Sequence, residues 1–269
     1  MGEPIGLIAG NGVFPVLFAR AARAQGLEVH AVGFLGEADP CLEAEVASLQ
    51  WMKVGQVNGM VRALKAKGAS KAVMAGGIGR IRSLKNIWPD LGAWRILSRL
   101  PSRRDDELLR AVAEYVQSLG LTIVSPTDYV SEVLAPDGHL AGPKLTEVQA
   151  RDVELGKQVG FHLGQADVGQ TVVVREGVVL AVEAVEGTDE CIRRAGRCGG
   201  PGAVVVKRLK PGQDLRFDRP AIGPVTLEVM REAGASVLAV EARHTVLLDA
   251  PALIKWAQRL KISVTGFGP

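Results

Sequence analysis

The sequence predicts two α/β domains, the first built on a parallel sheet with helices covering both faces. Two observations carry the fold class. Short apolar runs alternate with amphipathic helical stretches through the first half, the pattern of strands joined by helical crossovers. Turn formers then interrupt the chain near its middle, at Ala135-Pro136-Asp137-Gly138 and Ala141-Gly142-Pro143, where a linker is expected. The expected division is residues 1–134, a linker at 135–145, and residues 146–269, with a cleft between the domains. A length of 269 residues agrees with one to two domains.

The first strand is the apolar run Ile5 to Ala9, which ends in Gly10-Asn11-Gly12 and leads into an Ala-rich helix from about Pro15 to Ala24. Glu28 to Val32 reads as a strand, Val57 to Lys67 as a helix, and Lys71 to Met74 as a strand running into Gly76-Gly77-Ile78-Gly79. From Asp105 to Leu119, the residues Leu108, Leu109, Val112, Val116 and Leu119 recur at helical spacing. Leu121 to Val124 closes the first half as a strand. Thr146 and Gln149 form a capping pair at the start of a helix reaching Leu163. Strands are expected at 171–174, 178–182, 203–206, 236–240 and 245–248, and helices at 188–195, 225–233 and 251–260. No repeat or low-complexity tract interrupts this order.

Composition excludes several classes. Hydrophobic residues make up 47% and charged residues 23%, too apolar for a disordered chain. Aromatics are only 4%, so aliphatic side chains must fill the core. The net charge of +3, from 32 basic and 29 acidic residues, gives no field suited to nucleic acid. Three scattered cysteines (Cys41, Cys191, Cys198) and four separated histidines argue against a structural zinc site or a disulfide framework. They favour a reducing, cytoplasmic compartment. The N-terminus lacks a basic region before its apolar run, so it does not read as a signal peptide. No run is long enough to span a bilayer.

Gly10-Asn11-Gly12 lies where a strand turns into a helix, so its amides and the helix dipole could hold a phosphate. A glycine turn that merely closes a strand is the plainer reading. The dinucleotide fingerprint fails here, because its third glycine is replaced by Pro15 and the second strand ends in Val32-Gly33-Phe34 without an acid. Gly76-Gly77 repeats the arrangement on the same expected sheet edge, where open α/β sheets bind ligands. Between Arg80 and Arg104, seven basic residues interleave with Trp88, Leu91, Trp94 and Leu97. That mixture suits an anionic membrane surface or an acyl ligand; a solvated amphipathic helix is the competing reading. Asp105 and Asp106 could hold a divalent cation, or simply complement a helix start. The loop Glu183 to Asp189 can offer carboxylates to a metal, or a hydroxyl and amides to a phosphate. Lys207 to Gly223 packs Lys207, Arg208, Lys210, Arg216 and Arg219 with Asp214 and Asp218 into one non-periodic loop. Such a loop suits a diphosphate and a water-activating acid.

These segments together resemble the UDP-2,3-diacylglucosamine pyrophosphatases of lipid A biosynthesis of the type unrelated to calcineurin-like phosphoesterases. The marks are LIAGNGVFP from Leu7, AGG from Ala75, DDELLR from Asp105, DVGQTVVV from Asp167, LAVEAVEGTDECIRRAG from Leu180 and KPGQDLRFDRPAIGP from Lys210. The resemblance implies a Rossmann-like N-terminal domain and a C-terminal α/β domain with the substrate between them. It implies hydrolysis of the substrate diphosphate to UMP and 2,3-diacylglucosamine 1-phosphate (lipid X), with Mg²⁺ or Mn²⁺, by direct water attack. Asp218 matches the family's catalytic aspartate. Glu186, Gly187, Thr188 and Asp189 match its diphosphate region; Gly10, Asn11, Gly12, Val13, Gly76 and Gly77 match its uridine-diphosphate contacts. Gln170 and Lys207 follow as further substrate contacts. Asp105, Asp106 and Glu183 are the metal candidates. The implied setting is cytoplasmic, with transient contact at the inner membrane and a homodimer left open. Arg104, Arg219 and Arg243 depart from the family pattern, Arg243 standing where a glycine commonly follows Glu241-Ala242. The readings set against this one are a non-catalytic nucleotide-sugar-binding module and a Rossmann-type oxidoreductase.

Overall fold

The computed structural model describes residues 3–78, 88–98, 105–217 and 219–268, with the side chains of Asp105 and Asp106 outside that description. The chain folds as two compact units. One comprises Met1–Glu132 with Asp214–Asp218, the other Val133–Gln213 with Arg219–Pro269.

In the first unit, β1 (Ile5–Ala9), β2 (Val29–Phe34), β3 (Ser48–Met52), β4 (Lys71–Ala75) and β5 (Thr122–Val124) form a sheet in the order β3-β2-β1-β4-β5. All its pairings are parallel. Every residue of β1 and β2 is buried, as expected of strands covered on both faces. Helices α1 (Phe14–Ala24), α2 (Val57–Ala66), α3 (Leu91–Leu97) and α4 (Asp105–Ser118) accompany the sheet. One core joins Ile8, Val32, Met60, Leu64, Val116 and Ile123, with Phe217 packed against it from far along the chain. Strand β3 has no apolar run; it forms because His30–Phe34 offers a free edge to Ser48–Met52, and the His30 ring bonds the Ser48 hydroxyl at 2.8 Å.

The second unit carries β6 (Gly138–Ala141), β7 (Thr171–Arg175), β8 (Val178–Val182), β9 (Val204–Lys207), β10 (Ala221–Ile222), β11 (Val237–Glu241), β12 (Val246–Leu247) and β13 (Ser263–Phe267). Its main sheet runs β6-β13-β11-β9-β7-β8, and β10 pairs separately with β12. Strands β9, β11 and β13 are parallel, whereas β6, β7 and β8 join antiparallel. Helices α5 (Glu147–Gln165), α6 (Thr188–Gly199), α7 (Pro224–Ala233) and α8 (Ala250–Leu260) complete the unit. The main core gathers Val173, Ile192, Val205, Leu227, Met230, Leu238 and Leu253.

Within the stretch expected as a linker, Gly138–Ala141 is an edge strand on β13. The turn formers there shape the ends of a short strand, with Gly138 and Gly142 at φ 90 and 76. The expected capping pair is present: the Thr146 hydroxyl accepts from the Gln149 amide at 3.2 Å, and the Gln149 side chain accepts from the Thr146 amide at 2.9 Å.

Candidate functional site

In the first unit the sheet order reverses between β1 and β4, since the chain runs outward through β2 and β3 on one side and to β5 on the other. Ligands of open α/β sheets lie beyond the carboxyl ends of the strands at such a point. The two glycine loops meet there. The Gly10 amide donates to the Ala75 carbonyl at 2.9 Å and the Asn11 amide to the Gly77 carbonyl at 2.6 Å. A β-carbon on Gly10 would collide with the Gly77 carbonyl, and one on Gly76 with the Asn11 carbonyl. Gly76 also has φ 78, and Pro15 packs over it. Glycine is thus required by close backbone approach at both positions. Gly12, at φ 83, faces open space. Val13 caps α1 without any side-chain hydrogen bond, so the first amides of the helix remain available to an anion. Gly10, Asn11, Gly12, Val13, Gly76 and Gly77 are therefore one structural corner.

In the second unit a buried polar chain links three strand ends and a helix start. Lys207, 6% exposed at the end of β9, donates its ammonium to the Thr188 hydroxyl at 2.9 Å. That hydroxyl donates to Glu183 Oε1 at 3.2 Å, and the Thr171 hydroxyl lies 3.4 Å away. Glu183 is 8% exposed, and its Oε2 is buried without a hydrogen-bond partner among the described residues. Gln170 Oε1, beside Thr171, is in the same state. Two buried acceptors without donors are costly unless something else meets them. Thr188 opens α6, whose N-cap Gly187 (φ 84) provides no side-chain cap. Asp189 follows in the first turn, where a carboxylate suits the helix dipole.

Glu186 is engaged within its own loop. It accepts from Arg194 at 2.6 Å and from the Ala184 amide at 3.2 Å. Its own backbone hydrogen bond and the Arg194 contact hold its carboxyl below the usual range. A third polar group has no signal in the sequence pattern. Glu241, 3% exposed at the end of β11, accepts the Leu209 amide at 3.0 Å and lies 3.5 Å from Arg208 and 3.2 Å from the His244 ring. It anchors the start of the loop that continues to Asp218, and only a β11–β9 pairing brings residues 32 apart together.

Asp218 lies outside the described residues, but its neighbours are placed. Leu215 offers its carbonyl to the Ser125 hydroxyl at 3.2 Å, and Phe217 packs on the first unit's core. Arg216 grips Asp214 through two nitrogens, at 3.0 and 2.7 Å, and this ion pair depresses the Asp214 carboxyl. Asp105 and Asp106 begin α4, their side chains outside the described residues. Among the described residues no group of three His, Cys, Asp or Glu side chains could by itself hold a metal ion.

Two family models match the chain: LpxI N-terminal domain over residues 4–133 and LpxI C-terminal domain over residues 136–265. A curated relative from Caulobacter vibrioides, named UDP-2,3-diacylglucosamine pyrophosphatase LpxI, is 31% identical over 280 residues and covers 98% of each chain. Among solved structures, the biotin carboxylase subunit of pyruvate carboxylase matches at 12% identity and TM-score 0.28, over 74% of this chain and 43% of that one. N5-carboxyaminoimidazole ribonucleotide synthetase from Thermus thermophilus matches at 20% identity and TM-score 0.24, over 80% and 48%. The chain spans about half the length of those two structures.

Proposed function

The chain belongs to the LpxI family, and we propose that it hydrolyses UDP-2,3-diacylglucosamine to UMP and 2,3-diacylglucosamine 1-phosphate in lipid A biosynthesis. The observation that carries this reading is the end-to-end match to a relative named for that substrate. The corner of Gly10–Val13 with Gly76-Gly77, and the Lys207–Thr188–Glu183 chain, are phosphate-binding chemistry consistent with it. Each is a group that binds phosphate oxygens through charge-assisted hydrogen bonds, backbone amides in the first unit and a buried ammonium in the second.

In the proposed reaction water bonds to one phosphorus, the bridging oxygen departs on the other phosphate, and a proton is released. No covalent enzyme intermediate is needed. Asp218 is the acidic group assigned to the water, and the contacts of Leu215, Arg216 and Phe217 fix the backbone just before it. Lys207 lowers the cost of charge gathering on the diphosphate.

Mg²⁺ or Mn²⁺ belongs to the same proposal. Such ions are held through one or two carboxylates together with substrate phosphates. Glu183, with its unpartnered buried Oε2, fits the protein half of that set, and the ion would neutralise diphosphate charge. The acyl chains imply contact with the inner membrane from the cytoplasmic side. The exposed side chains Trp88, Leu91, Trp94 and Leu97, at 62, 84, 62 and 49%, recur every third residue and are the proposed contact surface. No helix among the described residues is long and apolar enough to cross a membrane.

The test is UMP release from UDP-2,3-diacylglucosamine, with and without EDTA. Wild type is expected to turn over with Mg²⁺ and to stop with chelator. Asp218→Ala is expected to lose about 10²–10⁴ in rate, the usual worth of general-base help. Near-wild-type turnover by that variant would remove Asp218 from the mechanism. Substrate binding without UMP release would favour a non-catalytic nucleotide-sugar-binding module.

A further inference from the structure

Beyond β2 the chain makes a tight turn, in which the Glu37 and Ala38 amides both donate to the Phe34 carbonyl at 3.0 Å. The turn carries a carboxylate back over the first glycine loop, and Asn11 Nδ2 donates to Glu37 Oε2 at 3.2 Å. The absence of an acid at the end of β2 is therefore only an absence from the strand itself. Three residues further on, an acid reaches the same corner from the side.

We propose that Glu37 reads the ribose hydroxyls of the substrate's nucleoside half. A carboxylate only accepts hydrogen bonds, and a ribose 2′,3′-diol offers two donors at adjacent positions. A carboxylate would repel phosphate, so the diphosphate belongs on the amides of Gly12 and Val13, since those of Gly10 and Asn11 already donate to Ala75 and Gly77, and the sugar belongs on the Glu37 side. The surroundings suit a ribose. Gly12 and Gly36 both face open space. Val13, two residues after Asn11, and Leu35, two residues before Glu37, expose apolar side chains at 52 and 50%. Asn11 holds the carboxylate in place, which lowers the ordering cost when the diol arrives. Acid-to-ribose contacts beside a glycine turn are a general solution in sheets of this order.

The inference rests on the proposed hydrolysis, and its test separates the two. The measurement is kcat/KM for UDP-2,3-diacylglucosamine and for its 2′-deoxyuridine analogue. Wild type is expected to prefer the ribonucleotide by roughly 10–100-fold, since a group placed for a hydroxyl discriminates against its absence. Glu37→Ala is expected to bring that ratio close to one, with Glu37→Gln between the two. The ratio cancels any general loss of folded enzyme. A wild type active on both substrates without preference, or a Glu37→Ala that keeps the wild-type ratio, would overturn the role of Glu37 and leave the hydrolysis standing. A wild type inactive on both would overturn the hydrolysis itself, and the role of Glu37 with it.

Discussion

Single residues decide what chemistry each part of the chain can perform. The three cysteines look alike in sequence and differ in the fold. Cys191 lies fully inside the second core, and burial pushes its thiol up to about 12. Cys41 and Cys198 are exposed, and a hydrogen bond with Asp39 raises the Cys41 thiol. Because the thiolate is the nucleophile, iodoacetamide at neutral pH is expected to modify the exposed Cys41 and Cys198 first and the buried Cys191 only after denaturation. Mass spectrometry of the labelled peptides checks that order; early labelling of Cys191 would mean the second core opens readily. Arg243 carries a backbone cost. It sits exposed at φ 63, a backbone that favours glycine over a residue with a β-carbon.

At the scale of elements, local pattern and tertiary contact share the work. The β7–β8 hairpin turns on Glu176 and Gly177, both at positive φ (48 and 78), the two-residue geometry that matches strand twist. Glycine accepts it freely, but glutamate does not. The turn is held from outside by Asp152 on α5, 3% exposed, whose two oxygens accept the amides of Glu176 and Gly177 at 2.8 and 2.7 Å. Asp152→Ala is expected to cost about 2–3 kcal/mol, the scale of hydrogen bonds to a charged group. Denaturant unfolding checks this, and a loss under about 0.5 kcal/mol would show that water replaces the clamp at no cost. Strands β1 and β8 and helix α4 are legible in the sequence because their own apolar spacing defines them. Strands β3 and β6 are not, since Ser48–Met52 and Gly138–Ala141 become strands only by pairing with an edge formed elsewhere.

For the whole molecule, the main feature is the exchange of a short segment. Asp214–Asp218, late in the chain, belongs with the first unit. Arg216 holds the Asp214 carboxyl below its ordinary 3.8. The folded chain thus keeps this group ionised at acidities where the unfolded chain would be protonated. Its stabilising effect is full above that ordinary value and is lost as pH falls through the lower folded one. Thermal unfolding between pH 6 and pH 3 is expected to show a falling Tm below about pH 4, with a shallower fall for Asp214→Asn. An identical pH slope in the variant would exclude this pair as a source of acid lability. Sequence by itself determined the alternation of strand and helix, the two glycine loops and the charged loop around Asp218, because each is written in neighbouring residues. Only tertiary structure decided that Glu37 reaches Asn11, that Glu241 anchors Leu209, and that Leu215 and Phe217 pack with the first unit. Those contacts join residues 26, 32 and about 90 positions apart, and no local spacing records which distant backbone a side chain will meet.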